Sequence, residues 1–182
     1  MQHLAPAVFI DRDGTLMEEV NYCSDPDKVR LFPGVTTAIK ALRAKGFRII
    51  IITNQSGIGR GTISLPQYES VQNRLLELIG HSLIDATYFC PDHPDTPSDR
   101  RKPNPGMILE AARDWKIDLT NSWMIGDKDI DVECGDRAGT RCILVQTGYG
   151  TEHAATRKLP EGTVVLEDLP ASADHILKSV QP

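Results

Sequence analysis

Positive charge gathers nowhere along this chain. Its 182 residues carry 20 Lys and Arg against 25 Asp and Glu, a formal net charge of −5, with no basic block. That speaks against tight nucleic-acid binding, which needs a basic track to meet the phosphates. The four cysteines, Cys23, Cys90, Cys134 and Cys142, form no Cys-x-x-Cys pair. In a chain of this length they read as reduced thiols of a cytoplasmic protein rather than as a disulfide framework. No apolar run approaches the length that spans a bilayer, and the first six residues lack the basic start and apolar core of a secretory leader. There is no internal repeat and no low-complexity tract. What remains is an ordinary globular composition, 40% apolar and 25% charged, which fits one domain over residues 1–182 with an ample core.

Strand and helix patterns alternate. Residues 7–10 read as a short buried strand, and 47–52 as a central strand covered on both faces. Further strands are expected at 86–90, 122–125, 141–145 and, briefly, 163–166. Helices are expected over 34–45 with Gly46 as the stop, from a capping box at Ser64 and Gln67 to about Gly80, and from Asn104-Pro105 to Lys116. Two more run to about Ala138 and from Asp168 onward, the last with Ile176, Leu177 and Val180 turned inward. Such alternation defines an α/β fold, a Rossmann-like three-layer sandwich around a mainly parallel central sheet. Ligands then gather at the carboxyl ends of the strands.

Reactive residues stand at those ends. The first strand runs into Asp11-Arg12-Asp13-Gly14-Thr15. If strand geometry persisted, Asp11 and Asp13 would share a face and Arg12 would turn elsewhere. Two such carboxylates oppose each other's ionisation, a cost that a hard cation such as Mg²⁺ removes. One can then attack phosphorus while the other handles the leaving-group proton. Taken alone, Asp-x-Asp-Gly fits a strand-to-turn junction equally well. The second strand ends in Thr53-Asn54-Gln55-Ser56-Gly57-Ile58-Gly59-Arg60-Gly61, a loop able to present a hydroxyl and backbone N–H groups to a phosphate. Its glycine spacing matches neither the dinucleotide fingerprint nor the P-loop. Lys102 follows the third strand and Asp127 the fourth. Carboxylates, a hydroxyl, Arg101, Lys102 and Lys128 on one edge suit phosphoryl transfer, in which several electrostatic elements act together.

In order, Asp11-Arg12-Asp13-Gly14-Thr15, Thr53-Asn54, Lys102-Pro103 and Gly126-Asp127-Lys128-Asp129-Ile130-Asp131 resemble the four motifs of the haloacid dehalogenase (HAD) superfamily. The resemblance spans nearly the whole chain and implies a phosphatase. It makes Asp11 the nucleophile that forms an aspartyl-phosphate, Asp13 the general acid and then base, and Thr53 and Lys102 the phosphoryl holders. It also implies Mg²⁺ held by Asp11, Asp13 (through its backbone carbonyl) and Asp127, with Asp131 assisting from behind. Segments 16–33 and 54–101 leave no room for a cap domain.

Within the superfamily, residues 53–61, Cys90-Pro91 and 101–107 look like the family of heptose bisphosphate and histidinol-phosphate phosphatases. That likeness implies a small phosphorylated sugar as substrate, a monomer, and substrate contacts from Arg12, Glu19, Val20, Asn21, Tyr22, Asn54, Gln55, Ser56, Arg101 and Lys128. Histidinol phosphate is the alternative substrate. A polynucleotide 3′-phosphatase shares the Thr-Asn-Gln-x-Gly-Ile-Gly-Arg-Gly stretch, but the acidic charge disfavours it. A non-catalytic phosphate-binding module is disfavoured by the presence of both Asp13 and Lys102. The family's zinc loop, Cys-x-His followed by Cys-x-Cys before Arg-Lys-Pro, is broken here. Only Cys90 matches, His93 comes one position late, and Asp99 and Arg101 stand where the later pair belongs. Zinc is therefore not expected.

Overall fold

The computed structural model describes residues 4–180. Strands β1 (Ala7–Ile10), β2 (Arg48–Asn54), β3 (Ala86–Cys90), β4 (Trp123–Gly126), β5 (Arg141–Val145) and β6 (Val164–Leu166) form one sheet in the order β3-β2-β1-β4-β5-β6. Every neighbouring pair is parallel. The chain builds outward from β1 to β3, then crosses back to place β4 on the other side of β1. The strand order therefore reverses between β1 and β4, where parallel sheets open a crevice at their carboxyl edge.

The helices are α1 (Val35–Ala44), α2 (Ser56–Gly59), α3 (Leu65–Ile79), α4 (Gly106–Trp115), α5 (Asp129–Ala138), α6 (Gly150–Thr156) and α7 (Leu169–Ser179). Val8, Ile10, Ile49 and Ile51 pack on one side with residues of α1, α3 and α7. Phe9, Ile50 and Ile52 pack on the other with α4 and α5. Both faces of the central strands are thus covered, which is why their sequences are apolar without alternation. Fully burying each large aliphatic or aromatic side chain stabilises the sheet by about 1.5–3 kcal/mol.

Local signals set most helix ends. Ser64 and Gln67 complete both halves of the capping box on α3, and Asp168 caps α7 through Ala171 N–H. The start of α4 differs from expectation. Pro105 takes the cap position without a side-chain bond, while Asn104 turns back to donate to Ser98 O at 2.9 Å and ties down the proline-rich loop. Val180 is another correction: it lies beyond the end of α7 and is 39% exposed, so the inward face ends with Ile176 and Leu177. Helices α2 and α6 were not expected, because both are short and begin in glycine-bearing segments of low helix propensity. Segment 16–33 holds only a single 3₁₀ turn, Pro26–Lys28, and 54–101 holds α2, α3, a second such turn and β3. Neither carries a cap. Among the described residues, no helix is long and apolar enough to cross a membrane. Residues 1–3, part of the leader reading, lie outside the described chain.

Candidate active site

Asp11 extends the ladder of β1 by one bond, donating its N–H to Ile125 O at 2.9 Å. This seats its carboxylate at the crevice between β1 and β4. Lys102 comes in from the proline-rich loop. Its Nζ lies 2.6 Å from Asp11 Oδ1 and 2.6 Å from Asp131 Oδ1, and it donates to Ile52 O at 3.0 Å. Asn54 at the tip of β2 holds the Lys102 backbone from both directions, donating to its carbonyl and accepting from its N–H, each at 3.1 Å. A buried ammonium needs such partners. Burial opposes the charge of Lys102, but Asp11 and Asp131 outweigh it and hold the ammonium above its ordinary range.

Asp127 ends the β4 connection and is fully buried. Tyr149 N–H donates to its Oδ2 at 2.9 Å, while its buried Oδ1 has no hydrogen-bond partner. Two glycines make room for this carboxylate. Gly14 (φ +86°) and Gly148 (φ +54°) both have left-handed backbone, and a Cβ on either would lie 2.2 Å from Asp127 Oδ2. Burial pushes Asp127 up to about 8, with Asp11 and Asp131 adding to the effect. Burial also raises Asp11 to about 7, against the opposing pull of Lys102.

One oxygen each from Asp11, Asp127 and Asp131 falls within 4.8 Å of the others. Three buried carboxylates, one with an orphaned oxygen, make a hard-oxygen donor set that a divalent cation would satisfy. The residues therefore fit Mg²⁺. The Asp13 carboxylate lies outside this cluster and is engaged elsewhere. Arg12 Nε and Nη2 donate to it at 2.9 and 3.1 Å, and Gln55 Nε2 at 2.9 Å. This is compatible with the backbone role that the family resemblance implies for Asp13, and the third carboxylate of the cluster is Asp131. Arg12 does not turn away from Asp13, because β1 stops at Ile10 and strand alternation no longer governs the next residues.

Asp11, Asp13, Thr53, Asn54, Lys102 and Lys128 surround a small polar hollow at the reaction centre. It adjoins a cavity of about 200 Å³ that shares Asp13, Asn54 and Lys128 with it and is further lined by Arg12, Glu19, Val20, Asn21, Tyr22, Gln55 and Ser56. Nine of the ten expected substrate-contact residues thus line this one cavity. Arg101 does not. It lines a separate open depression with Pro94, Ser98 and Lys102. Across the cavity, Lys128 Nζ stands 3.3 Å from Glu19 Oε2 and 4.6 Å from the centre of the Tyr149 ring.

Sequence reading missed the Thr147-Gly148-Tyr149 turn after β5, which holds Asp127 and whose Thr147 hydroxyl donates to Gly14 O at 2.7 Å. Its two glycines, Gly148 and Gly150, were the available signal. In the proline-rich loop, Cys90 Sγ lies 3.4 Å from Asp92 Oδ2, at the second ligand position of the family's zinc pattern, and 3.7 Å from Ser98 Oγ.

The HAD-hydrolase-like family model matches residues 99–172. The D-glycero-D-manno-heptose-1,7-bisphosphate 7-phosphatase of Chlorobaculum tepidum is 40% identical over 163 residues, 81% of this chain and 82% of that protein. The enzyme of that name from Thermosynechococcus vestitus is 36% identical across 97% of this chain and 98% of its own length. The crystal structure of D,D-heptose 1,7-bisphosphate phosphatase from B. bronchiseptica, complexed with magnesium and phosphate, aligns with a TM-score of 0.90 at 32% identity, covering 96% of this chain and 99% of that one. The chain belongs to the HAD-like phosphatases, in the family of the heptose-bisphosphate 7-phosphatases. It is a phosphomonoester hydrolase with a magnesium-type site.

Proposed function

We propose that this protein removes the 7-phosphate of D-glycero-D-manno-heptose 1,7-bisphosphate in the cytoplasm. The observation that supports the reading is the polar cavity that adjoins the hollow around Asp11 and Lys102. It is small, lined by charged and amide side chains, and shares three residues with the reaction centre. The names of the relatives supply the sugar.

Lys102 fixes Asp11 Oδ1 and with it the direction of the second oxygen, which attacks phosphorus. The bond from phosphorus to the sugar oxygen breaks, and Asp13 gives that oxygen a proton. Asp13 then takes a proton from water, whose oxygen attacks the aspartyl-phosphate and frees Asp11 and inorganic phosphate. Thr53 and Lys102 hold the phosphoryl oxygens. Asp11, Asp127 and the Asp13 backbone would hold Mg²⁺, which when bound offsets phosphoryl charge. The rest of the sugar lies against Asn21, Ser56 and the Glu19–Lys128 pair. Every group named comes from one chain, so a monomer suffices. Zinc has no part in this reading, since the proline-rich loop offers too few nitrogen and sulfur ligands for a closed tetrahedral site.

Histidinol phosphate is the competing substrate, because Glu19 could face its ammonium. That carboxylate is already paired with Lys128. Nucleic acid lacks a basic track to follow. The test is kcat/KM with Mg²⁺ on heptose bisphosphate, histidinol phosphate and a 3′-phosphorylated oligonucleotide. Preference for the first is expected, and preference for either of the others overturns the substrate assignment.

A further inference from the structure

Gln55 lines the cavity, yet its side-chain hydrogen bonds run back into the protein. Its Nε2 donates to Asp13 Oδ2 at 2.9 Å and to Thr53 Oγ1 at 2.8 Å. Its Oε1 accepts from Arg12 Nη2 at 3.1 Å. The residue is only 7% exposed. The orientation of the amide follows from chemistry. A guanidinium can only donate, so the carbonyl oxygen must face Arg12 and the NH₂ must face Asp13 and Thr53. Arg12 is itself 1% exposed, forks onto Asp13 and lies 5.4 Å from the centre of the Tyr68 ring. Arg12, Asp13 and Gln55 thus close a ring of hydrogen bonds, with Thr53 attached to it through Gln55.

We infer that Gln55 is a positioning residue for the chemical step rather than a contact for the sugar: it sets Asp13 and Thr53 relative to each other. This rests on the proposed roles of those two residues. The consequence for Thr53 is specific. A hydroxyl has one proton and two lone pairs, and Gln55 occupies an acceptor site. The hydroxyl's own proton is then free to point at a phosphoryl oxygen. For Asp13, Gln55 adds a third hydrogen bond to the two of the Arg12 fork, on Oδ2, and so ties the carboxylate to the Thr53 side of the site. Misplacing a proton-transfer group by a fraction of an ångström is costly to rate, while binding of the distant parts of a substrate is untouched.

The experiment is steady-state kinetics of wild type and Gln55→Leu, with Mg²⁺, on heptose bisphosphate and on p-nitrophenyl phosphate, which has no sugar to recognise. The expected result is a fall in kcat of about 10- to 100-fold on both substrates, with KM changed less than about threefold. Gln55→Met, unbranched and of similar length, makes the same measurement should the leucine variant fail to fold. In an Asp13→Asn, Gln55→Leu double variant the second change should add less than it does alone, as expected for residues acting as one unit. A variant with full kcat on p-nitrophenyl phosphate and a raised KM for heptose bisphosphate would overturn the inference and make Gln55 a sugar contact. A wild-type protein that hydrolyses neither ester would overturn the parent reading, and this one with it.

Discussion

The reaction centre and the cavity beside it are built in opposite ways. The centre draws on the ends of β1, β2 and β4, on the proline-rich loop and on the first turn of α5, and these residues are almost wholly buried: Asp11, Thr53, Lys102, Asp127 and Asp131 are all 5% exposed or less. The outer wall of the cavity comes from one irregular segment, Glu19 to Tyr22, whose residues are half-buried or exposed. In the first region the backbone ladder of a parallel sheet fixes charge positions. In the second, side chains on a loop present polar groups with room to adjust. Chemistry common to all phosphate esters belongs on the rigid part, and discrimination between esters on the adaptable part.

Substitutions should separate the two regions. The largest effect is expected for Asp11→Asn, which removes the proposed nucleophile and should bring turnover on every phosphate ester below detection. Measurable steady-state turnover by that variant would move the nucleophile elsewhere. Next comes Gly148→Ala. Its Cβ would press on Asp127 Oδ2 from a left-handed backbone, so a loss of about 1–3 kcal/mol in stability is expected, together with activation that needs higher Mg²⁺ concentrations. Thermal melting and activity against Mg²⁺ concentration read both, and an unchanged curve would detach Gly148 from the metal site. The smallest effect should come from Glu19→Gln. It should raise KM for the sugar bisphosphate several-fold while changing kcat on p-nitrophenyl phosphate less. Equal losses on both would erase the distinction between centre and cavity.

Asp11, Thr53, Lys102 and Asp127 were readable because each ends an apolar run or follows the loop after one. Residues 7–10 and 47–52 mark their own strands, and the polar residue after each apolar run needs no further signal. Arg12 was misread for a related reason: alternation applies only while the strand lasts, and β1 lasts four residues. Asp131, which the family likeness places behind the site, also sits in the first turn of α5, accepting from Lys128 N–H at 3.0 Å through Oδ2, while its other oxygen meets Lys102. No local pattern could reveal that second contact, because Lys102 is 29 positions away in the chain. The Tyr149 contribution is a backbone N–H, which leaves no side-chain signature at all. The cavity wall from Glu19 to Tyr22 owed its reading to family likeness. Arg101, adjacent to Lys102 in sequence, lines a different depression that Lys102 also borders.

The reciprocal amide clamp between Asn54 and the Lys102 backbone has a consequence for how this molecule can vary. It fastens the last residue of a long excursion to the tip of a central strand, independently of whatever shapes the excursion's outer bend. The bend from Pro94 to Ser98 can therefore vary in sequence and length while the Lys102 ammonium keeps its address. It is also the natural place to splice in a reporter or a shortened turn, since Asp95 at its tip has a side chain 90% exposed.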